Sequence, residues 1–287
     1  MKATTSARIT GLFFYPVKSC HGTALERAEL CDTGIVGDRA WLVIRETGEF
    51  LTQRNLSQMA LIEPRLEDGR LTLRTRLQPN AYPMADLTVP PPEPGAVRRT
   101  TQVWGSACET IDLGNEAAEW LTSVLGERCR LVTMAPGFVR QVDPRYSRPG
   151  DQVSFVDGFP LLLTTESSLE ELNRLLLPSD PVPMSRFRPS VVISGAPPFA
   201  EDEWTTITVP AHGITLRVVK PCGRCIVTTT DQEAGVRVSD EPLATLTRFR
   251  LVKEPGQSPG AMFGQNLIHD RAADSQFLEV GDELICS

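Results

Sequence analysis

The sequence is short of positive charge: 29 Lys and Arg stand against 36 Asp and Glu, a formal net charge of −7. A general nucleic-acid binder needs a cationic surplus to neutralise phosphates, so that class is excluded, whereas a local cationic pocket is not. Long apolar runs are missing too. Nowhere do 18 consecutive apolar residues occur, and the first ten residues lack the apolar core of a secretory signal, so a cytoplasmic chain with no membrane partner is expected. Histidine is scarce, at three, and the seven cysteines, at 20, 31, 108, 129, 222, 225 and 286, include one close pair. Such a set is no disulfide framework, and it does not offer the paired ligand clusters of a structural zinc site. Internal repeats and low-complexity tracts are absent.

What is present reads as strand and turn. The length suggests two domains of about 150 residues, and 23 Pro with 21 Gly imply many turns. The expected class is mainly β with small helices (α+β). Ile9 to Val17 is a strand that runs into Tyr15-Pro16-Val17-Lys18-Ser19-Cys20. Gly34 to Arg39 is a turn before the strand Ala40 to Arg45, and hairpins are expected at Thr47-Gly48 and at Glu67-Asp68-Gly69-Arg70. Pro90 to Gly95 is an exposed loop, after which strand pattern resumes at Thr101 to Trp104. Asn115 is placed as the cap of a helix carrying Trp120, Leu121, Val124 and Leu125 on one face, with Gly126 at its end. The strand Cys129 to Met134 follows, and the Pro- and Gly-bearing stretch 135–152 is the inter-domain linker, giving domains 1–135 and 136–287. Beyond it, Leu161 to Leu163 is apolar, and Ser167-Ser168-Leu169-Glu170 reads as a capping box opening a helix that Pro178 closes. Val191 to Ile193 is a strand, Thr206–Val209 and Ile214–Val219 form a hairpin at His212-Gly213, Ser239 to Pro242 starts a short helix, and Val280 to Ile285 closes the chain as a strand.

The stretch richest in chemistry is Lys220-Pro221-Cys222-Gly223-Arg224-Cys225, followed by Ile226-Val227-Thr228-Thr229-Thr230. It is expected to form a tight turn between two β-type runs, with Arg224 favouring a thiolate. A thioredoxin-type dithiol needs its first cysteine at a helix start, and here a β-branched run follows the pair. A single thiolate ligand to a transition metal, held within a larger cofactor, is a further reading. Ordinary packing of the pair stays open beside them.

The chain resembles the MOSC-domain proteins with an N-terminal MOSC β-barrel domain, the group that includes the mitochondrial amidoxime-reducing component and bacterial YcbX-type proteins. The resemblance rests on Tyr15 to Cys20, Asp38-Arg39-Ala40-Trp41, Asp157-Gly158-Phe159-Pro160, Arg186-Phe187-Arg188-Pro189, Cys222 to Thr229 and Phe263-Gly264-Gln265, which lie in family order across nearly the whole chain. It implies a molybdenum cofactor of the molybdopterin type, with Cys225 as metal ligand and catalytic residue completing a set of three sulfurs. It also implies that Lys18, Ser19, Arg39, Gly158, Phe159, Arg188, Ser190, Gly223 and Arg224 hold the pterin and its phosphate, Ser190 standing where relatives often carry Asn. Cations suit a phosphate dianion, so an acidic protein with a basic pocket is consistent. The implied activity is reduction of N-hydroxylated compounds to amines or amidines. Because the sequence ends at Cys286-Ser287 without a cysteine cluster for an iron–sulfur centre, a separate electron-donor protein is expected. The alternative is a carrier of the cofactor or of sulfur without its own turnover, and a third reading is a metal-free scaffold using Cys222 and Cys225 as a redox pair. Lys18, Arg39, Arg188 and Cys225 are expected to converge on one cleft between the domains.

Overall fold

The computed structural model describes residues 4–77, 84–92, 95–176, 180–253, 259–270 and 276–287. Pro178, expected to end the second helix, and Glu93 and Pro94 of the proline-rich loop lie outside the described residues. The first half contains β1 (Thr5–Phe14), β2 (Thr23–Leu25), β3 (Arg27–Cys31), β4 (Gly34–Ile35), β5 (Trp41–Arg45), β6 (Ile62–Glu67), β7 (Arg70–Thr75), β8 (Leu87–Thr88), β9 (Arg98–Val103), β10 (Ser106–Asp112), α1 (Asn115–Leu125) and β11 (Cys129–Met134). The second contains β12 (Leu161–Thr165), α2 (Glu166–Leu176), β13 (Val191–Ser194), β14 (Thr206–Val209), β15 (Ile214–Arg224), α3 (Leu243–Phe249), β16 (Leu251–Val252), β17 (Gly260–His269), β18 (Gln276–Glu279) and β19 (Glu283–Cys286). The mainly-β class with small helices is what the chain adopts. No helix among the described residues is long and apolar enough to cross a membrane.

The largest sheet runs β12-β13-β1-β19-β14-β15-β17, and β12 pairs back onto β17, closing a seven-stranded barrel. Its first strand comes from the start of the chain and the other six from beyond residue 160. β3 likewise pairs with β18, so strands cross between the halves. A bulge between Ile9 and Gly11 makes this seating work for β1. Strand residues alternate faces, and the extra residue shifts the phase, so Ala7 and Ile9 before it and Leu12 and Phe14 after it all face the core. They pack with Leu163, Ile193, Ile207, Leu216 and Leu267 inside the barrel. A second core forms where α1 lays Ala117, Leu121 and Val124 over Leu131, against the four-stranded sheet β5-β11-β10-β9.

Several local expectations shift. Gly114, at φ 92, is the N-cap of α1, and Asn115 is already helical, its Oδ1 accepting from Arg130 Nη2 at 2.9 Å. Gly126 ends that helix in the left-handed region, as its position suggests. In α2 the Ser168 N–H donates to Thr165 Oγ1 at 3.1 Å, placing the capping residue two positions before Ser167. Ser168 Oγ instead donates to the buried Glu201 carboxylate at 2.8 Å. Val280 to Asp282 form a turn, with Gly281 at φ 100, so the closing strand starts at Glu283.

The cysteine stretch differs most. β15 runs on through Cys222 to Arg224, bulged twice and paired with β17, and Ile226–Thr229 is a 3-10 turn. β-branched residues tolerate that turn because threonine hydroxyls can bond backward: Thr228 Oγ1 donates to Cys225 O at 2.9 Å and Thr229 Oγ1 to Ile226 O at 2.7 Å. The glycine of Phe263-Gly264-Gln265 also gains a reason. At Gly264, φ is +76, and an added Cβ would sit 2.4 Å from Leu163 O across the β12–β17 pairing that closes the barrel. Gly264→Ala is expected to lose about 2 kcal/mol or more of stability, read as a lowered denaturant midpoint; unchanged stability would disprove this strain.

Candidate active site

The barrel seam, the β9–β10 turn and the segment after β1 meet at one cleft. Lys18, Ser19, Arg39, Gly158, Phe159, Arg188, Ser190, Gly223, Arg224 and Cys225 all line it, so the sequence-predicted set is brought together. Two of its segments are joined through the backbone. Lys18 N donates to Trp41 O at 2.9 Å and Trp41 N to Pro16 O at 3.2 Å, which sets Lys18 and Arg39 side by side. Arg39 N donates to Tyr15 O and Phe155 N to Arg39 O, carrying the link to the 154–159 loop.

Backbone strain concentrates here. Of the six described non-glycine residues with positive φ, four line the cleft: Ser19 (68), Arg39 (47), Trp104 (53) and Arg188 (51). Each such residue costs of order 1 kcal/mol or more, and persists only where its surroundings fix it, commonly at ligand sites.

The cleft gathers six cations, Lys18, Arg39, Arg54, Arg186, Arg188 and Arg224, in a protein of net negative charge. Arg54 stacks on the Trp104 ring, and the other five fall into two groups. Lys18 is ion-paired with Asp157 and also donates to Phe155 O at 2.8 Å; Arg39 pairs with Asp38, and Arg186 with Asp231 at 3.2 Å. Arg188 and Arg224 have no carboxylate partner among the described residues. Arg224 Nε donates to Phe263 O at 2.8 Å and Nη1 to Phe187 O at 2.9 Å, while Arg188 Nη1 reaches Gln232 Oε1 at 3.4 Å. In both residues Nη2 is buried without a partner. Burial pulls the Arg188 pKa down to about 10, helped by Arg39 and opposed by Tyr15, so it keeps its charge at neutral pH. Tyr15 carries both the Arg39 and Arg188 guanidinium carbons 4.2 Å from its ring centroid, and burial raises its phenol to about 12.

Asp157 is the exposed acid of the cleft, its side chain 68% accessible. The surrounding protein mass disfavours its charged form, but the charge and hydrogen bond of Lys18 and the Trp104 indole, donating at 3.1 Å, hold its carboxyl well below the usual range. Lys18 itself is pushed down by burial and supported by Asp157. Of the two cysteines, Cys222 has its thiol pushed up by burial against the pull of Arg224, so the cation between the pair does not make Cys222 a thiolate. Cys225 stands in extended backbone at the head of the 3-10 turn, its carbonyl fixed by Thr228 N and Oγ1. Ser190 is buried, and its Oγ accepts from Leu162 N at 3.3 Å, so it ties β12 to the loop before β13 while touching the cleft.

Sequence reasoning left several contributors out of its site set. Arg186 and Asp157 sit inside motifs it used. Arg140 lies in the stretch read as linker, yet it is buried and donates to Ser154 O, Val156 O and Asp157 O, clamping the loop that forms one wall. Arg54, its guanidinium carbon 4.3 Å from the Trp104 ring centroid, had no signal in its neighbourhood.

Residues 6–128 match the MOSC N-terminal beta barrel domain and residues 150–285 the MOSC domain. The chain is 36% identical over 268 residues to mitochondrial amidoxime-reducing component 1 of Mus musculus, covering 90% of this chain and 74% of that protein. It is 35% identical over 290 residues to mitochondrial amidoxime-reducing component 1 of Homo sapiens, covering 96% and 81%. The molybdenum cofactor sulfurase of Danio rerio is 32% identical over 305 residues, spanning 99% of this chain and 35% of that protein. By these matches, the chain belongs to the MOSC-domain proteins in which a MOSC N-terminal β-barrel domain precedes the MOSC domain.

Proposed function

We propose that the protein is a molybdenum-cofactor-dependent reductase of N-hydroxylated compounds, with Cys225 as metal ligand and catalytic residue. The observation that carries this reading is that Arg188 and Arg224, each with a buried unpartnered Nη2, share one cleft with Cys225. Buried N–H donors left free of carboxylates are complementary to an anion, and a phosphate bearing cofactor supplies one. The donor set fits the group the relatives' names point to. Arg188 and Arg224 would hold its phosphate, Lys18, Ser19, Arg39 and Ser190 its remaining polar edge, and Gly158, Phe159 and Gly223 its backbone-facing sides.

When bound, such a group supplies the two-electron reduction that breaks an N–O bond and releases water. The chain's own part is placement and electrostatics. Both cysteines line the cleft, and the ligand role is given to Cys225, the second cysteine of the Cys222-Gly223-Arg224-Cys225 motif. Asp157 directs both its protein hydrogen bonds through Oδ1, which leaves Oδ2 to accept from an N–H or O–H of the substrate. Electrons come from a separate donor protein. The division of the chain near residue 135 is proposed with the site, whose residues come from both sides of it.

The similarity to a molybdenum cofactor sulfurase favours a second reading, a carrier of cofactor or sulfur without turnover. Cofactor-loaded protein, an artificial electron donor and an amidoxime or hydroxylamine separate the two. Repeated turnovers to amidine or amine are expected; stoichiometric or no product would favour the carrier.

A further inference from the structure

Behind the Arg188 wall lies a pair of side chains from distant parts of the sequence. Gln53 and Gln232 are both buried and face each other amide to amide: Gln53 Nε2 donates to Gln232 Oε1 at 3.0 Å, and Gln232 Nε2 returns a bond to Gln53 Oε1 at 2.9 Å. Their other atoms are committed as well. Gln53 Nε2 donates to Ser19 O at 2.8 Å, Gln232 Nε2 to Thr230 O at 3.3 Å, and Gln232 Oε1 accepts from Arg188 Nη1. This fixes the amide orientations. Turning Gln232 over would set its NH2 against that of Gln53 and against the Arg188 guanidinium.

The chemistry of the acceptor is the informative point. A buried arginine is commonly met by a carboxylate, and in this cleft Lys18, Arg39 and Arg186 are. Arg188 is met by a neutral amide that is itself locked by a second amide. A carboxylate in that place would hold the guanidinium equally well, but would neutralise it before any anion arrived. We propose that Gln232 is a charge-sparing positioning residue: it orients the Arg188 guanidinium through a neutral acceptor and so keeps its positive charge available to a phosphate dianion. Gln53 serves as the brace that holds Gln232 in its orientation. The inference rests on the reading of Arg188 as an anion-binding residue.

The test measures binding of inorganic phosphate to cofactor-free protein, together with thermal melting, for wild type and two variants. Gln232→Glu gives Arg188 a carboxylate partner but sets its second oxygen against Gln53 Oε1 and Thr230 O; it is expected to melt lower, and phosphate affinity falls at least about tenfold. Gln53→Met removes the brace but adds no charge; it is expected to melt lower and to keep phosphate affinity within about threefold. A merely structural pair would lose phosphate affinity in step with melting temperature in both variants, whereas here only Gln232→Glu loses it strongly. Gln232→Glu binding phosphate within about threefold of wild type would overturn the inference alone, as would an equal loss of affinity in Gln53→Met. Wild-type protein that binds no phosphate would overturn the anion-binding reading of Arg188, and the inference with it.

Discussion

Cys225→Ala is expected to abolish reduction of N-hydroxylated substrates, by at least about a thousandfold, while the protein folds and melts as wild type does. The two halves of this expectation have separate grounds. Cys225 is only half-buried and belongs to none of the hydrophobic cores, and its backbone is fixed by carbonyl bonds to Thr228 that alanine leaves in place. Removing Sγ therefore costs little packing. It does remove the thiolate proposed to complete the sulfur set around the metal. Cys222 shares the cleft and is half-buried like Cys225, but the ligand role is given to Cys225 alone, so Cys222→Ala is the matched control and should keep most of the activity. Comparable loss in the two variants, or full activity in Cys225→Ala, would remove Cys225 from the role given to it.

Arg188→Ala carries the second large effect, a loss of about a hundredfold in affinity for the phosphate-bearing cofactor, measured by titrating cofactor-free protein. Hydrogen bonds to charged groups contribute roughly 1.5–3 kcal/mol each, and a guanidinium presents a planar fork that matches two phosphate oxygens. Arg188→Lys should restore part of the loss, because it returns the charge without the fork. Stability should fall little. No carboxylate is left behind by the substitution, and what disappears is the contact with the Tyr15 ring and the long hydrogen bond to Gln232 Oε1, which keeps its bond from Gln53. Alanine is preferred over glycine in this test because residue 188 sits at φ 51, where glycine would relieve backbone strain and confuse the comparison. Wild-type affinity in Arg188→Ala would separate this residue from the cofactor.

The parts of the molecule visible in the sequence are those whose signals are local. Glu67 to Arg70 make a hairpin because Asp68 and Gly69 both accept positive φ, and Gly126 ends α1 for the same reason. The motifs that carry the family resemblance contain nine of the ten proposed cofactor-binding residues that line the cleft, with Ser190 directly after one of them, and a motif can fix a backbone shape as well as a side chain, as Gly264 demonstrates. Local signals misled where a side chain had a distant competitor. Ser167 has the sequence context of the capping serine but lies inside the helix, which starts at Glu166, and Thr165 Oγ1 accepts from Ser168 N in its place, while Ser168 Oγ is drawn to Glu201. The threonines after Cys225 look like strand, and their hydroxyls turn back on the preceding carbonyls. Interactions between remote positions left no trace at all. Gln53 and Gln232 meet across 179 positions, and nothing near either one distinguishes it from a surface glutamine. Even the charge of the cleft was only half legible: which cations are neutralised depends on where Asp38, Asp157 and Asp231 arrive in space.

The central claim is that this cleft holds a molybdenum cofactor through Cys225. X-ray absorption at the molybdenum edge, recorded on cofactor-loaded wild type and Cys225→Ala, addresses it most directly. The account predicts three sulfur neighbours in wild type and one fewer in the variant. Identical sulfur coordination in the two proteins, or wild-type protein that retains no molybdenum after loading, would contradict it.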